Sequence, residues 1–229
     1  MTEEATLDMA DPLGDGISSV QLIQQVGDDR MIAAAARVSL ANDLKIRSDE
    51  DNFKLIKYLL KHQHGTPLEH NLITYRITAP LYVIQELLRH RHLSFNQESA
   101  RYIQVQNRAY VPSKFRGQSK SNRQASVPSE TIEQAQVISI YQQAVEAAYK
   151  TYAALLEAGV CREQARGVLP HCTYSSLYVT FNIRALLHFL DLRLSPDAQW
   201  EIQQYARSFK ALAEPLFPLT FRALAELKE

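Results

Sequence analysis

Arg89-His90-Arg91-His92-Leu93-Ser94-Phe95-Asn96-Gln97-Glu98-Ser99-Ala100-Arg101-Tyr102 gathers three arginines, two histidines and two serines into fourteen residues. An apolar run, Leu81 to Leu88, leads straight into it. A guanidinium is always charged and presents its donors in one plane, which suits phosphates and planar carbonyl-bearing rings. Cations are also favoured at helix C-termini. A capped helix end, however, does not need the ordered Ser, Asn, Gln, Ser, Arg and Tyr that follow. The block therefore reads as a ligand-binding turn.

The elements on either side alternate between helix and strand. Ser18 to Val26 has strand character, and Asp28 or Asp29 caps an alanine-rich helix through about Leu40. Ser48 and Asp51 form a capping box, and Phe53, Ile56, Leu59 and Leu60 then recur at helical spacing. Gly65 suits a left-handed end to that helix. Asn71 to Thr78 reads as a strand with Ile73, Tyr75 and Ile77 on one face, and Pro80 opens the helix that delivers the Arg-His-Arg. Ser129 caps a long helix striped by Ile138, Tyr141, Val145, Ala148, Tyr152 and Leu155, ended by Gly159. A short helix follows over Arg162 to Leu169. Thr173 to Phe181 is strand-like, Arg184 to Leu192 is helical, and Ser195-Pro196-Asp197 starts another helix that Pro215 and Pro218 break. Helices dominate, so the expected fold is a single α+β domain over 18–229. Residues 1–17 read as an acidic, flexible tail.

Composition excludes several function classes. The net charge is zero, which removes any global bias toward nucleic acid or membrane. There is no GxGxxG and no P-loop among only seven glycines, so a nucleotide would be held another way. Cys161 and Cys172 lack zinc-ribbon or CxxC spacing. Two cysteines without a secretory signal point to a reducing, cytoplasmic setting. From Ser99 to Ser129 there is no acid but six basic residues, Arg101, Arg108, Lys114, Arg116, Lys120 and Arg123. That segment is either a solvated mobile loop or a positive lid over an anion.

Chemistry collects in three clusters: His62, His64, Thr66, Glu69 and His70; the Arg89–Tyr102 block; and Arg166, Asn182, Arg184, His188 and Arg193. Five of seven histidines lie between 62 and 92, but flanking arginines oppose a cation, so no metal site is expected. The basic 101–123 segment interleaves Tyr102, Tyr110 and Phe115, yet zero net charge opposes a nucleic-acid binder.

These residues are similar to a known family. Arg89-His90-Arg91, seven residues, then Ser99 resembles the signature of the flavin-dependent thymidylate synthases, as do His64–His70 (HGTPLEH), Asn182 to Arg193, and Ala198–Gln203. The resemblance covers about residues 18 to 225. It implies a helix-rich α+β domain around a small, mainly antiparallel sheet. It implies reductive methylation of dUMP to dTMP, with methylenetetrahydrofolate as carbon donor, NADPH as reductant, bound FAD between them, and tetrahydrofolate released. It also implies a homotetramer whose active sites draw on several subunits, with no nucleic-acid or membrane partner.

Carried over by position, His64, Thr66, Arg89, His90, Arg91, Gln97, Asn182, Arg184 and His188 are implied FAD contacts. Glu86, Arg89, Gln97, Glu98, Ser99, Ala100, Arg101, Arg166 and Arg193 are implied dUMP contacts. Arg193 is the arginine implied to activate the uracil ring, and no metal is implied. Two positions depart from the family. Glu86 stands where a Gln is frequent, so its carboxylate must pair with an arginine, be protonated, or face away. Ala100 replaces a frequent Gly. Cys172 follows Pro170-His171, the wrong order for a cysteine-dependent thymidylate synthase.

Overall fold

A computed structural model describes residues 9–41 and 45–228 of the chain. The strands are β1 (Met9–Ala10), β2 (Ser19–Val26), β3 (Leu72–Pro80), β4 (Leu93–Gln97), β5 (Gly117–Gln118), β6 (Ser126–Val127) and β7 (Tyr174–Asn182). The helices are α1 (Asp29–Arg37), α2 (Asp49–Lys61), α3 (Leu81–Leu87), α4 (Gln134–Glu157), α5 (Arg162–Ala165), α6 (Ile183–Arg193), α7 (Trp200–Ala213) and α8 (Pro218–Lys228). Five strands form one antiparallel sheet in the order β1-β2-β3-β7-β4. The expected α+β class holds.

The sheet's period-2 pattern decides which face is covered. Ile73, Tyr75 and Ile77 of β3 lie beside Phe181, Val179 and Leu177 of β7 in the pairing register. All six are buried in one core with residues of α2, α3, α6, α7 and α8. Tyr75, Phe181, Phe189 and Phe209 form an aromatic cluster, with Tyr75 and Phe209 centroids 4.7 Å apart. The buried Tyr205 hydroxyl donates to the Thr78 carbonyl at 2.7 Å, so its burial leaves no donor unpaired. A smaller core of Val145, Tyr149 and Cys172 ties α4 to the segment around Val105 and Ala109.

Several local expectations need correction. The acidic tail does not extend to residue 17: β1 pairs with β2, and Asp11 and Asp15 accept backbone N–H groups from Gly14, Gly16, Ile17 and Ser18. Asp15 also accepts from the Tyr174 hydroxyl at the start of β7. Residues 1–8 lie outside the described part. α2 ends at Lys61, and the left-handed residue just beyond it is Gln63, with a φ of +57°, and not Gly65. Gly65 leaves room for the Arg184 side chain as it lies here, because a Cβ there would sit 2.4 Å from Nε of Arg184. Pro80 closes β3 and precedes α3. α4 starts at Gln134, with Ser129 bonded to Thr131 ahead of it. Ser195 makes a turn by accepting from the Asp197 amide, and α7 starts only at Trp200. β4 is a strand the sequence did not signal.

The basic 101–123 segment is mostly irregular but carries the small β5–β6 hairpin. The Arg116 guanidinium holds that hairpin by donating to the carbonyl and hydroxyl of Ser126. Among the described residues, no helix is long and apolar enough to cross a membrane.

Candidate active site

The Arg-His-Arg turn lies between α3 and β4, where it faces the start of α6. Antiparallel pairing sets Leu93 beside Phe181, so the turn meets the Asn182 end of β7. A cavity of about 710 Å³ opens there, lined by Arg89, His90, Arg91, Asn182, Arg184, His188 and Arg193, together with Glu69 and His92. Its volume falls within the range of cofactor sites.

Local structure fixes several of these side chains. Asn182 caps α6, its Oδ1 accepting from the Ala185 amide at 2.8 Å. Arg184 lies over Gly65 and pairs with Glu69 at 2.6 Å. His188 and Arg193 follow on the same helix at intervals of four and five residues. His90 stacks edge-on against Phe189 at 4.9 Å and lies 6.0 Å from the His188 ring. Burial, with Arg193 and His188 nearby, pushes the His90 pKa down to about 4. A neutral His90 then accepts a hydrogen bond from Nε of Arg193 at 3.0 Å.

Arg193 has two further contacts. One amino group meets the Glu86 carboxylate at 2.8 Å, and the other donates to the Glu86 carbonyl at 3.0 Å. Of the three options the sequence left for Glu86, it takes the first and pairs with an arginine. The Arg193 side chain is 17% exposed, so its planar fork is held in a sheltered wall. Such a fixed cation can stabilise negative charge developing on a carbonyl-bearing ring.

The remaining expected residues gather elsewhere. A second cavity, of about 340 Å³, is lined by Gln97, Glu98, Ala100 and Arg166, with Tyr174 and Ser175 at the other end of β7. No residue lines both cavities. The six residue steps from Ser175 to Phe181 put these ends about 20 Å apart, at ~3.3 Å per strand residue. Gln97 donates to the Ser175 hydroxyl at 3.0 Å, and Glu98 accepts from the Ser176 amide at 3.2 Å.

Ser99 and Arg101 border this second cavity without lining it. Arg101 pairs with Glu163 at 2.9 Å. His64 and Thr66 line neither cavity; His64 stacks edge-on with Tyr58 at 5.9 Å, and Thr66 opens the 3-10 turn that carries Glu69. Ser175 was missed by sequence reading. Its signal is a polar residue at the parity of Leu177, Val179 and Phe181.

Both cysteines are free. Cys172 is buried against Tyr149 and Val145, and Cys161 is exposed just before α5. Among the described residues, no three His, Cys, Asp or Glu side chains are grouped to hold a metal.

Comparison with known proteins places the chain in a family. The family model described as thymidylate synthase complementing protein matches residues 21–219. A flavin-dependent thymidylate synthase of Thermus thermophilus is 41% identical over 208 residues, covering 90% of this chain and 75% of the relative. That of Thermosipho africanus is 39% identical, covering 89% of each. The chain belongs to the flavin-dependent thymidylate synthase family. Among solved structures, the UMP/dUMP methylase PolB of Streptomyces cacaoi, bound with 5-Br dUMP, matches at a TM-score of 0.84. It is 36% identical, and the match covers 96% of both chains. The same enzyme bound with 5-Br UMP matches at 0.81 and 35% identity. Its fold confirms the helix-rich domain around an antiparallel sheet implied by the Arg89–Tyr102 block.

Proposed function

We propose that this protein converts dUMP to dTMP with methylenetetrahydrofolate, NADPH and a proton, releasing tetrahydrofolate and NADP⁺. The carrying observation is the sheltered Arg193, held on neutral His90 inside a cavity rich in guanidinium groups. The family membership supports the same reaction. Bound FAD supplies the electron path from NADPH to the transferred carbon.

The cavity chemistry fits that cofactor. Arg89 and Arg91 line it and, among the described residues, have no carboxylate partner, so they are available to a pyrophosphate. His188 and Asn182 offer a flat ring and an amide on the same wall. Arg184 belongs to this set through its place over Gly65, and we put His64 and Thr66, at the start of the turn that carries Glu69, on its border. Arg193 holds the pyrimidine carbonyl edge and stabilises charge that builds there. Gln97, Ser99, Ala100, Arg101 and Arg166 hold the sugar and phosphate. Glu98 orients that wall through the Ser176 amide.

The separation of the two cavities supports an oligomer. A mononucleotide that reaches both Arg193 and Arg166 draws them from different chains, since the two sit at opposite ends of β7. We assign a homotetramer in which one chain supplies the Arg193 cavity and another the Arg166 cavity. The free Cys161 and Cys172 support a reducing, cytoplasmic setting.

The direct test is reconstitution with FAD followed by omission of each substrate. Formation of dTMP should require dUMP, methylenetetrahydrofolate, NADPH and FAD together. A protein that stays colourless after incubation with FAD, or that forms dTMP without it, overturns the reading.

A further inference from the structure

The second cavity contains a guanidinium that the family signature does not supply. Arg108 lines it beside Arg166 and Ala100. Its backbone is fixed from two sides: its carbonyl accepts from the Tyr149 hydroxyl of α4 at 3.1 Å and from the Tyr174 amide of β7 at 3.0 Å. The neighbouring Ala109 bridges to Thr173. Arg108 thus sits on the frame of the domain, although it falls in the basic, irregular segment.

Its side chain has an unpaired donor. Nε of Arg108 is buried and has no hydrogen-bond partner. Among the described residues, no carboxylate pairs with its guanidinium. A structural arginine would spend these donors on protein oxygens, because a buried unpaired donor is costly. Arg101, implied by the family to face phosphate, is occupied with Glu163. Glu98 on the same wall is turned onto the Ser176 amide. Two like charges in one small cavity repel unless an anion lies between them.

We propose that Arg108 is a second phosphate clamp, holding the nucleotide 5′-phosphate together with Arg166. This rests on the nucleotide reading of the cavity given above. It brings the 101–123 segment into the site through particular residues, Arg108 beside Arg101, and not through its bulk charge. Selectivity for the phosphorylated nucleotide over the bare nucleoside would then come from both arginines.

Calorimetric titration of the FAD-loaded protein with dUMP and with deoxyuridine tests this. R108Q should weaken dUMP binding about 10- to 100-fold, the range for a charge-assisted bond. R108K should give a smaller loss, because it keeps the charge without the fork. Deoxyuridine should bind all three proteins equally. R108Q binding dUMP as well as wild type, or losing dUMP and deoxyuridine alike, overturns the proposal. If R108Q fails to fold, R108K decides: unchanged dUMP binding refutes the clamp, and a selective loss supports it. Wild type that binds no dUMP refutes the nucleotide reading itself and the clamp with it. R166Q weakened while R108Q stays normal refutes only Arg108.

Discussion

The carboxylate of Glu86 and the guanidinium of Arg193 meet at 2.8 Å, joining the end of α3 to the end of α6. The pair explains how a carboxylate is accommodated in a site built for an anion. It also means that Arg193 must exchange part of its ion pair when a pyrimidine arrives. Glu86→Gln removes the competing charge while His90 and the Glu86 carbonyl keep Arg193 in place. Binding of dUMP should tighten by a few-fold, in line with about 1 kcal/mol for a partly exposed pair. Calorimetry checks this, and weaker binding would show that Glu86 itself holds substrate.

Arg193→Lys keeps the charge but loses the parallel donors and the bond to His90. Losing one well-placed donor to developing charge costs about 10²–10³ in rate. Formation of dTMP should fall by that amount while the flavin spectrum stays normal. A variant that loses FAD yet turns over in excess FAD would make Arg193 a cofactor clamp.

His90 gives the site an acid limit. Its pKa falls from 6.5 to about 4 through burial and the nearby Arg193 and His188. The unfolded chain therefore takes up this proton more readily than the folded one. The contribution of His90 to stability is complete above about pH 6.5 and is lost as pH falls toward 4. Protonation also converts the acceptor of the Arg193 bond into a donor. Melting temperature measured against pH should decline across this window, and His90→Gln should flatten the decline. An unchanged slope in the variant would place the titration elsewhere.

Asp29 ties the start of α1 to the start of α8. It is buried and accepts from the Leu219 amide at 2.7 Å, the Thr220 amide at 3.1 Å and the Thr220 hydroxyl at 2.6 Å. Asp29→Ala strands three donors at the start of α8. Urea unfolding should show a loss of about 3 kcal/mol with little change in slope. A loss below about 0.5 kcal/mol, the level of ordinary surface substitutions, would show that solvent replaces the carboxylate.

Local chemistry was legible in the sequence wherever it acts alone. Asp28 and Ser48 accept from Met31 and Asp51 amides as N-caps, and Gly159 takes a φ of +85° to end α4. β3 and β7 declared their buried face by alternation. β4 did not, because Leu93–Gln97 is an edge strand, polar at Ser94 and Asn96, and formed by pairing with distant β7. The space that Gly65 leaves for Arg184 was hidden for the same reason: its partner is far away in sequence. The Arg89–Tyr102 block pointed to the family and to every cluster. It could not show that Arg193 and Arg166 fall in separate cavities, since that depends on the register of β7.

Mixing two inactive variants tests the shared site most directly. Arg193→Lys disables one cavity and Arg166→Ala the other. If each site joins the Arg193 cavity of one chain to the Arg166 cavity of another, a mixed pair rebuilds one intact site. Random reassembly should then restore about a quarter of wild-type dTMP formation. Each variant alone should remain nearly inactive. A mixture no more active than the sum of its parts, in oligomers shown to have exchanged subunits, would place the whole site within one chain and contradict the account.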